Sequence, residues 1–457
     1  MPDLASGLNR PSPRQVRLRI AALAAAALAV AVSSGCAPQP TPSANAAGAG
    51  VRIDIRTPPG LRAQQTLDML NSDWPIGPVG VATLAQADEV KPVEATMEKL
   101  WWDRPFALSG VDIKAGTATL QLTTSYGGRE QIRIHAGDDT LVDRFDAITQ
   151  APTISSWHDV DSALNKTGAR YSWQVAKVDN RNCDRVAGTN TALSLPLASI
   201  FKLYVLYAVE DAVKAGTVSW DDQLTVTDKG KAVGSGMEVP AGAQVSVRTA
   251  AEKMIATSDN MATDMLIGTV GTRAVEHALA AAGHHDPAAM TPFPTMYELF
   301  SVAWGQPDLR EQWRQATTPQ ARAQLLQQAD SHAYEPDPNR AHVPASGYGA
   351  EWYGSAEDIC RVHAALQTGA VGKAAPVKQI LAAAPGIDLD RRGWPYIGAK
   401  AGGLPGDLTF SWYAVDQTTQ PWVVSFQLNW PRDHGPGVTS WMLQIAEQVF
   451  SLLPAQR

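Results

Sequence analysis

Cysteine is scarce in this chain: three in 457 residues, with no pair spaced C-x-x-C. That excludes a disulfide scaffold and argues against a zinc module. Basic excess is missing as well. Thirty-eight Lys and Arg stand against 45 Asp and Glu, a net charge of −7. No positive surplus exists to neutralise a phosphate backbone, so nucleic acid is not an expected partner. There is no phosphate-binding P-loop, and Gly234-Ser235-Gly236 lacks the third glycine and the strand context of a dinucleotide fingerprint. His284-His285, His332 and His342 show no metal-ligand spacing and read as solvated loop residues. No metal or other cofactor is therefore expected. What is present is a globular composition, 45% hydrophobic and 18% charged, which is too apolar for a disordered chain and long enough for two or three domains. The fourteen tryptophans have no regular spacing and read as packing.

The first fifty residues read as an address. Arg10, Arg14, Arg17 and Arg19 precede the apolar run Ile20–Val32, and Ser33-Ser34-Gly35-Cys36 follows. Thirteen apolar residues are too few to span a bilayer comfortably, so residues 1–35 are expected to be a lipoprotein-type export signal. The small residues before Cys36 resemble a lipobox, although Ser33 stands where Leu is usual. Cys36 is then the lipidation site, and the chain is expected outside the cell membrane, anchored by lipid. Residues 1–35 carry +3, which takes the mature chain from −7 to −10. Residues 36–50 read as a flexible tether. Cys183 and Cys360 remain; they could pair in an oxidising compartment, and are read here as free, mildly buried residues.

Residues 51–150 are expected to form a small α+β domain. Pro59–Asp73 has helical spacing. Thr117–Leu122 and Gln131–Ile134 alternate, with Tyr126-Gly127-Gly128-Arg129 as the turn between them. Trp101-Trp102 reads as core rather than a ligand platform. Residues 151–457 form the second domain. A helix near Asp159–Asn165 precedes a strand at Tyr171–Val178 and a turn into a second strand. A long helical region runs from Ser199 to about Asp286, with Thr249-x-x-Glu252 as a capping box. More helices fall between Met296 and Leu381. Strands at Thr409–Val415 and Trp422–Leu428 precede a last helix, Val438–Leu452. The sheet is thus expected from both ends of the domain, with a helical block between.

Three short stretches carry chemistry. Ser199-Ile200-Phe201-Lys202 is the only place where Lys follows Ser by three. It opens an apolar helix, and the i to i+3 spacing puts hydroxyl and amine on one face. An alcohol needs a base to become a nucleophile. A lysine can serve if burial and nearby positive charge lower its pKa. Ser258-Asp259-Asn260 follows 59 residues later; its competing role is a polar turn that caps the next helix. Lys400-Ala401-Gly402-Gly403 lies just before the strand at Thr409, on a Gly-rich loop or edge strand.

The set S-x-x-K, S-D-N and K-x-G in this order resembles class A β-lactamases and penicillin-binding proteins. The likeness spans roughly residues 155–455. The two-domain layout also resembles actinobacterial lipoproteins of the LpqF type and the open-reading-frame-twelve proteins of clavulanic acid clusters. The resemblance implies a β-lactamase/transpeptidase-like α/β domain and an acyl-enzyme at Ser199. By motif, Lys202 takes the serine proton and Ser258 relays a proton to the leaving group. Asn260 holds Lys202 and contacts substrate, and Lys400 raises the positive potential. The N–H groups of Ser199 and Gly403 form the oxyanion hole, and Ala401 and Gly402 line the substrate. The expected partner is a small acyl substrate, an ester or amide; oligomeric state is not readable.

The chain departs from that family in two respects. No Asn lies between Met261 and Pro338, so the E-x-x-L-N loop of class A enzymes is absent. Glu298 is the nearest acid at a comparable distance, a candidate base whose competing role is a helix N-terminal acid. Ala401 replaces the threonine of K-T-G. The expected activity is therefore acyl-ester hydrolysis, with β-lactams as poor substrates. The rivals are a ligand-binding lipoprotein that has lost turnover and a D,D-peptidase.

Overall fold

The computed structural model describes residues 51–234 and 237–453. Val51–Arg457 groups as one compact unit. The expected export signal, the expected lipidation site Cys36 and the expected tether lie outside the described residues.

The N-terminal region matches the expected α+β type. Helix α1 (Pro58–Leu70) starts where Thr57 Oγ1 accepts the N–H of Gly60 and Pro58 takes a position that needs no donor. Helix α2 (Val90–Trp101) follows. Four strands then form an antiparallel meander: β1 (Ala107–Lys114), β2 (Thr117–Thr123), β3 (Arg129–Ala136) and β4 (Val142–Gln150). The alternation expected for β2 and β3 buries Ala118, Leu120, Leu122, Ile132 and Ile134 against Ala63, Leu70, Val93 and Met97 of the helices. β1 and β4 escaped the sequence reading because neither buries a full apolar face.

Helix α3 (Trp157–Asn165) leads into β5 (Arg170–Asp179) and β6 (Asn182–Thr189). A 3₁₀ turn, Ala198–Phe201, runs into α4 (Lys202–Ala215), which is apolar and buried along most of its length. The stretch expected as one long helical region is broken by two short strands, β7 (Gln223–Thr225) and β8 (Gln244–Ser246), which pair antiparallel. Helix α5 (Val247–Ala256) begins at Ser246, whose hydroxyl accepts the N–H of Thr249. The expected capping box is thus displaced. Thr249 lies inside the helix, and Glu252 pairs with Arg248 at 3.0 Å instead.

Helices α6 (Asn260–Val270), α7 (Thr272–Ala281), α8 (Met296–Trp304), α9 (Arg310–Gln315) and α10 (Pro319–Asp330) complete the inserted block. Next come α11 (Ala356–Gly369) and α12 (Pro376–Ala382), then β9 (Tyr396–Leu404), β10 (Asp407–Val415), β11 (Pro421–Asn429) and α13 (Gly437–Ser451). The antiparallel sheet runs β9-β10-β11-β5-β6, so both ends of the domain build it, as expected. α3 and α13 cover one face through Val160, Trp412, Phe426, Trp441, Ile445 and Phe450. α11 lies on the other face.

The N-terminal region packs directly on this second region. Tyr126 meets Trp441 at 5.6 Å between ring centroids, and the N–H of Gly435 donates to Asp103 at 2.8 Å. Trp101 is buried as read; Trp102 instead stacks on His342 at 3.9 Å.

Cys183 and Cys360, read as free, are joined in a disulfide between β6 and α11. Their separation of 177 residues hid the contact from the sequence. Converting Cys360 to Ala is expected to lower the unfolding free energy by about 2–4 kcal/mol, because the crosslink closes a long loop. Denaturant titration checks this; an unchanged midpoint, with two thiols open to alkylation in the native protein, would contradict the pairing.

Candidate active site

Ser199 sits half-buried in the 3₁₀ turn ahead of α4. The backbone enters this turn under constraint. Ala198 holds φ +43, a left-handed conformation that costs a residue with a Cβ about 1–3 kcal/mol. Two anchors offset that cost. The N–H of Leu197 donates to Trp352 O at 2.8 Å, and the hydroxyl of Thr409 donates to Leu197 O at 2.9 Å.

Strand β9 presses against the same turn. A Cβ on Gly402 would stand 2.5 Å from Ser199 N and 2.7 Å from Thr409 Oγ1, so no side chain fits there. Pro405-Gly406 closes the β9–β10 hairpin with Gly406 at φ +77, the geometry of a type II turn. The closing pair of a two-residue hairpin, here Leu404 and Asp407, is hydrogen-bonded, and antiparallel pairs alternate. Gly403 therefore turns its N–H away from β10, toward the open edge.

Lys202 has no exposure to water. Its Nζ donates to Ser258 O (2.6 Å), Asn260 Oδ1 (2.8 Å) and Ser258 Oγ (3.1 Å). Asn260 is held in turn by donating to Val233 O at 3.0 Å. Lys400, 3% exposed, donates to Ala401 O (2.6 Å) and Ser258 Oγ (3.0 Å). Five of the sequence-expected residues thus assemble: Lys202, Ser258, Asn260, Lys400 and, through Gly402, the backbone of Ser199. The direct Ser199–Lys202 hydrogen bond that the S-x-x-K spacing suggested is not formed. Among the described residues the Ser199 hydroxyl makes no hydrogen bond, because Ser258 and Asn260 take all three ammonium donors.

The S-D-N turn also fills its competing role. Asp259 Oδ1 accepts the N–H of Ala262 at 2.8 Å and caps α6, while Ser258 is left at φ +56. The helix cap and the lysine contacts are one structure here. The turn that starts the helix is also what aims Ser258 and Asn260 at Lys202.

Burial pushes the Lys202 amine well below its ordinary range, and the nearby Lys400 charge pushes the same way; Asp259 and Asp264 oppose. Burial brings Lys400 down to about 7. Two buried cations sharing one hydroxyl oxygen favour loss of a proton from one of them. A serine oxygen has only two lone pairs to offer.

Glu298 is not part of this cluster. Its carboxylate accepts the N–H (2.8 Å) and the hydroxyl (2.9 Å) of Thr295, completing a capping box on α8. This is the helix-terminal role weighed against catalysis. Asp264, on α6, accepts the N–H groups of Met296 and Tyr297 at 2.7 and 2.9 Å, and burial raises its pKa to about 7.

His284, read as a solvated loop residue, is buried. His284, His285 and Asp358 bring their ligand atoms within 4.8 Å of one another. Their bonding capacity is taken internally. His284 Nε2 faces Tyr353 O at 2.9 Å, and Asp358 accepts from Ser355, His285 and Arg361. A cation would have to displace the Arg361 guanidinium.

The sequence reading missed the supports beneath β9. Thr409, Ser411 and His363 are buried. Ser411 Oγ donates to Lys400 O and faces His363 Nε2, each at 2.9 Å. Full burial lowers His363 to about 3, so it is neutral and donates. The signal available was the period of two in β10, which puts Thr409 and Ser411 on one face opposite Gly402 and Lys400.

Because folding depresses the Lys400 pKa, the native state releases a proton that the unfolded chain keeps. Stability from this group is expected to rise as pH climbs from about 7 toward the unfolded value near 10.4. Lys400→Met loses this contribution, so its urea midpoint at pH 9 relative to that at pH 6 should be lower than the natural protein's. Equal differences between the two pH values would mean that Lys400 titrates normally.

Comparison with known proteins agrees with the motifs. The beta-lactamase enzyme family matches residues 156–336, and the ORF 12 gene product N-terminal family matches residues 55–142. The first match ends before Lys400, so the place of Lys400–Gly403 comes from the tertiary structure. No curated protein matches the chain. Among solved structures, a β-lactamase from Sphaerobacter thermophilus DSM 20745 is 19% identical; the alignment covers 66% of this chain and 100% of that one, with a TM-score of 0.45. The chromosome-encoded β-lactamase of Vibrio parahaemolyticus is 14% identical over 64% of this chain and 96% of that one, with a TM-score of 0.45. PBP-A is 15% identical over 66% and 99%, with a TM-score of 0.44. Along the chain the ORF 12-type match comes first and the beta-lactamase match second, so the N-terminal region is similar to the one family and the following region to the other.

Proposed function

We propose that this protein is an exported serine acyl hydrolase that forms an acyl-enzyme at Ser199. The observation that carries the reading is the fully buried Lys202 amine held by Ser258 and Asn260, with Lys400 on the same Ser258 hydroxyl. A neutral Lys202 has two N–H donors. It keeps Ser258 O and Asn260 Oδ1, its two shortest contacts, and its lone pair takes the third direction, now held by Ser258 Oγ, from which the amine turns to take the Ser199 proton.

The steps then balance. Ser199 Oγ adds to the substrate carbonyl as its proton passes to Lys202. The oxyanion accepts from the N–H groups of Ser199 and Gly403. Collapse breaks the bond to the leaving group, which takes the proton through Ser258. Water then adds to the acyl-enzyme as Lys202 accepts its proton, and Ser199 leaves and regains one. With Glu298 held by Thr295, Lys202 serves both halves, which suits esters with good leaving groups better than β-lactams.

The same geometry gives weight to a second reading. All three donors of the Lys202 ammonium are engaged away from Ser199, so a binding protein with little or no turnover, or a slow penicillin-binding type, fits the resting arrangement. For compartment, the Cys183–Cys360 disulfide supports an oxidising environment. It agrees with export and lipid anchoring at Cys36. No helix among the described residues is long and apolar enough to cross a membrane.

Incubation with an activated acyl ester or a fluorescent penicillin, followed by mass analysis of the peptide containing Ser199, separates these readings. The expected result is a transient adduct that falls by about 10²–10⁴-fold in rate in Lys202→Met. A permanent adduct supports the slow binding type, and no adduct supports the binding protein. An adduct that forms unchanged in Lys202→Met would remove the lysine from the mechanism.

A further inference from the structure

The N-terminal region holds apolar side chains out to water at a place far from the lysine cluster in sequence. Trp74 and Val79 are 82% and 83% exposed, more than any other large apolar residue among the described ones. With Met69, Pro75, Ile76 and Pro78 they line a groove of about 390 Å³. Single exposed apolar residues are ordinary, whereas a contiguous patch marks a contact surface. The exposure is also unevenly shared. Of eight exposed large apolar residues among the described ones, six precede residue 151 and two follow it. The smaller region is therefore the one that shows an apolar face.

This loop is fixed at both ends. Asn71 donates to Phe106 O at 2.9 Å and accepts the Phe106 N–H at 2.7 Å, and Trp101 Nε1 donates to Ser72 O at 2.8 Å. Leu70 and Val81, on either side, are fully buried. Pro75 and Pro78 restrict the backbone between them, and Pro78 opens the short helix Pro78–Val81. The indole and the valine are thus held outward by a built loop, although burying them would be favourable.

The chemistry of the patch favours a bilayer over a protein. Trp74–Ala87 contains no charged residue, and the acids Asp73, Asp88 and Glu89 flank it. Neither Arg nor Tyr, frequent anchors of protein interfaces, lines the groove. An indole beside aliphatic groups suits the boundary between headgroups and acyl chains. The chain's connectivity permits the contact. The fifteen residues Cys36–Gly50 reach at most about 50 Å. They enter at Val51, and α1, about 20 Å long, leads from that end to the loop. We propose that Trp74 and Val79 dock on the surface of the bilayer that holds Cys36, by apolar contact that requires no anionic lipid. This rests on the lipid anchoring proposed above. A contact too weak to hold the chain alone suffices once an anchor keeps it near the surface, and two attachment points set the orientation of the molecule.

The test places an environment-sensitive fluorophore on Val79→Cys, and on Val371→Cys as the exposed control, in the lipidated full chain on phosphatidylcholine vesicles carrying a spin label near the headgroups. The disulfide keeps Cys183 and Cys360 from the reagent. The label at 79 is expected to lose about half of its emission and the label at 371 almost none. Adding Trp74→Asp should remove the difference. Equal quenching at 79 and 371 overturns the proposal, as does quenching that requires phosphatidylglycerol. Shielding of the label at 79 that grows with protein concentration without vesicles overturns it in favour of a second copy. The same labels in Cys36→Ser read the surface without the anchor. A Cys36 peptide whose mass shows no lipid, with quenching at 79 still above that at 371, defeats the anchoring reading and supports the docking surface.

Discussion

An amine sealed from water is the constraint on which this site depends. A buried ammonium is tolerated only when its donors are all met. Lys202 meets them with Ser258 and Asn260, brought from a turn more than fifty residues away. That requirement fixes the S-D-N turn against the start of α4. The second buried lysine then adds its charge to the same hydroxyl, which works against the first one staying protonated. One electrostatic arrangement thus holds three parts of the chain together and lowers the pKa of the amine at its centre.

The strain near Ser199 follows from the same packing. Ala198 and Ser258 both adopt left-handed backbone conformations that residues with a Cβ avoid. Each is held from outside the turn, Ala198 by anchors on Leu197 and Ser258 by the cap on α6. Gly402 lets β9 approach Ser199 closely enough for the Gly403 amide to lie at the same edge. Below β9, Thr409 and Ser411 bond to the carbonyls of Leu197 and Lys400. The hairpin is therefore supported by hydroxyls in a sheet otherwise packed with aromatic and aliphatic side chains.

The N-terminal region bears on this hairpin through a few polar contacts. Asp103 accepts from Gly435, and Trp102 stacks on His342, which pairs with Asp433 at 2.7 Å. Asp433 in turn accepts the N–H of Gly406 at 3.3 Å, in the turn next to Asp407. A contiguous path of bonded groups thus links the first region to the β9–β10 turn, whatever that region itself binds.

The sequence by itself determined the local features. Period-two alternation located β2 and β3, and the strand signals at Thr409–Val415 and Trp422–Leu428 located β10 and β11. Apolar spacing located α1 and α13. The three motifs named the cluster members, because spacing within one turn or helix is a local property. It could not show which member touches which. Lys202 bonding to Ser258 and Asn260 rather than Ser199, the disulfide across 177 residues, and the Lys400–Ser258 bond are contacts between segments distant in sequence. Glu298 likewise carried two local readings, and only its bonds to Thr295 separated them. Such contacts are decided by which groups lose water together in the folded core, and no local pattern encodes that.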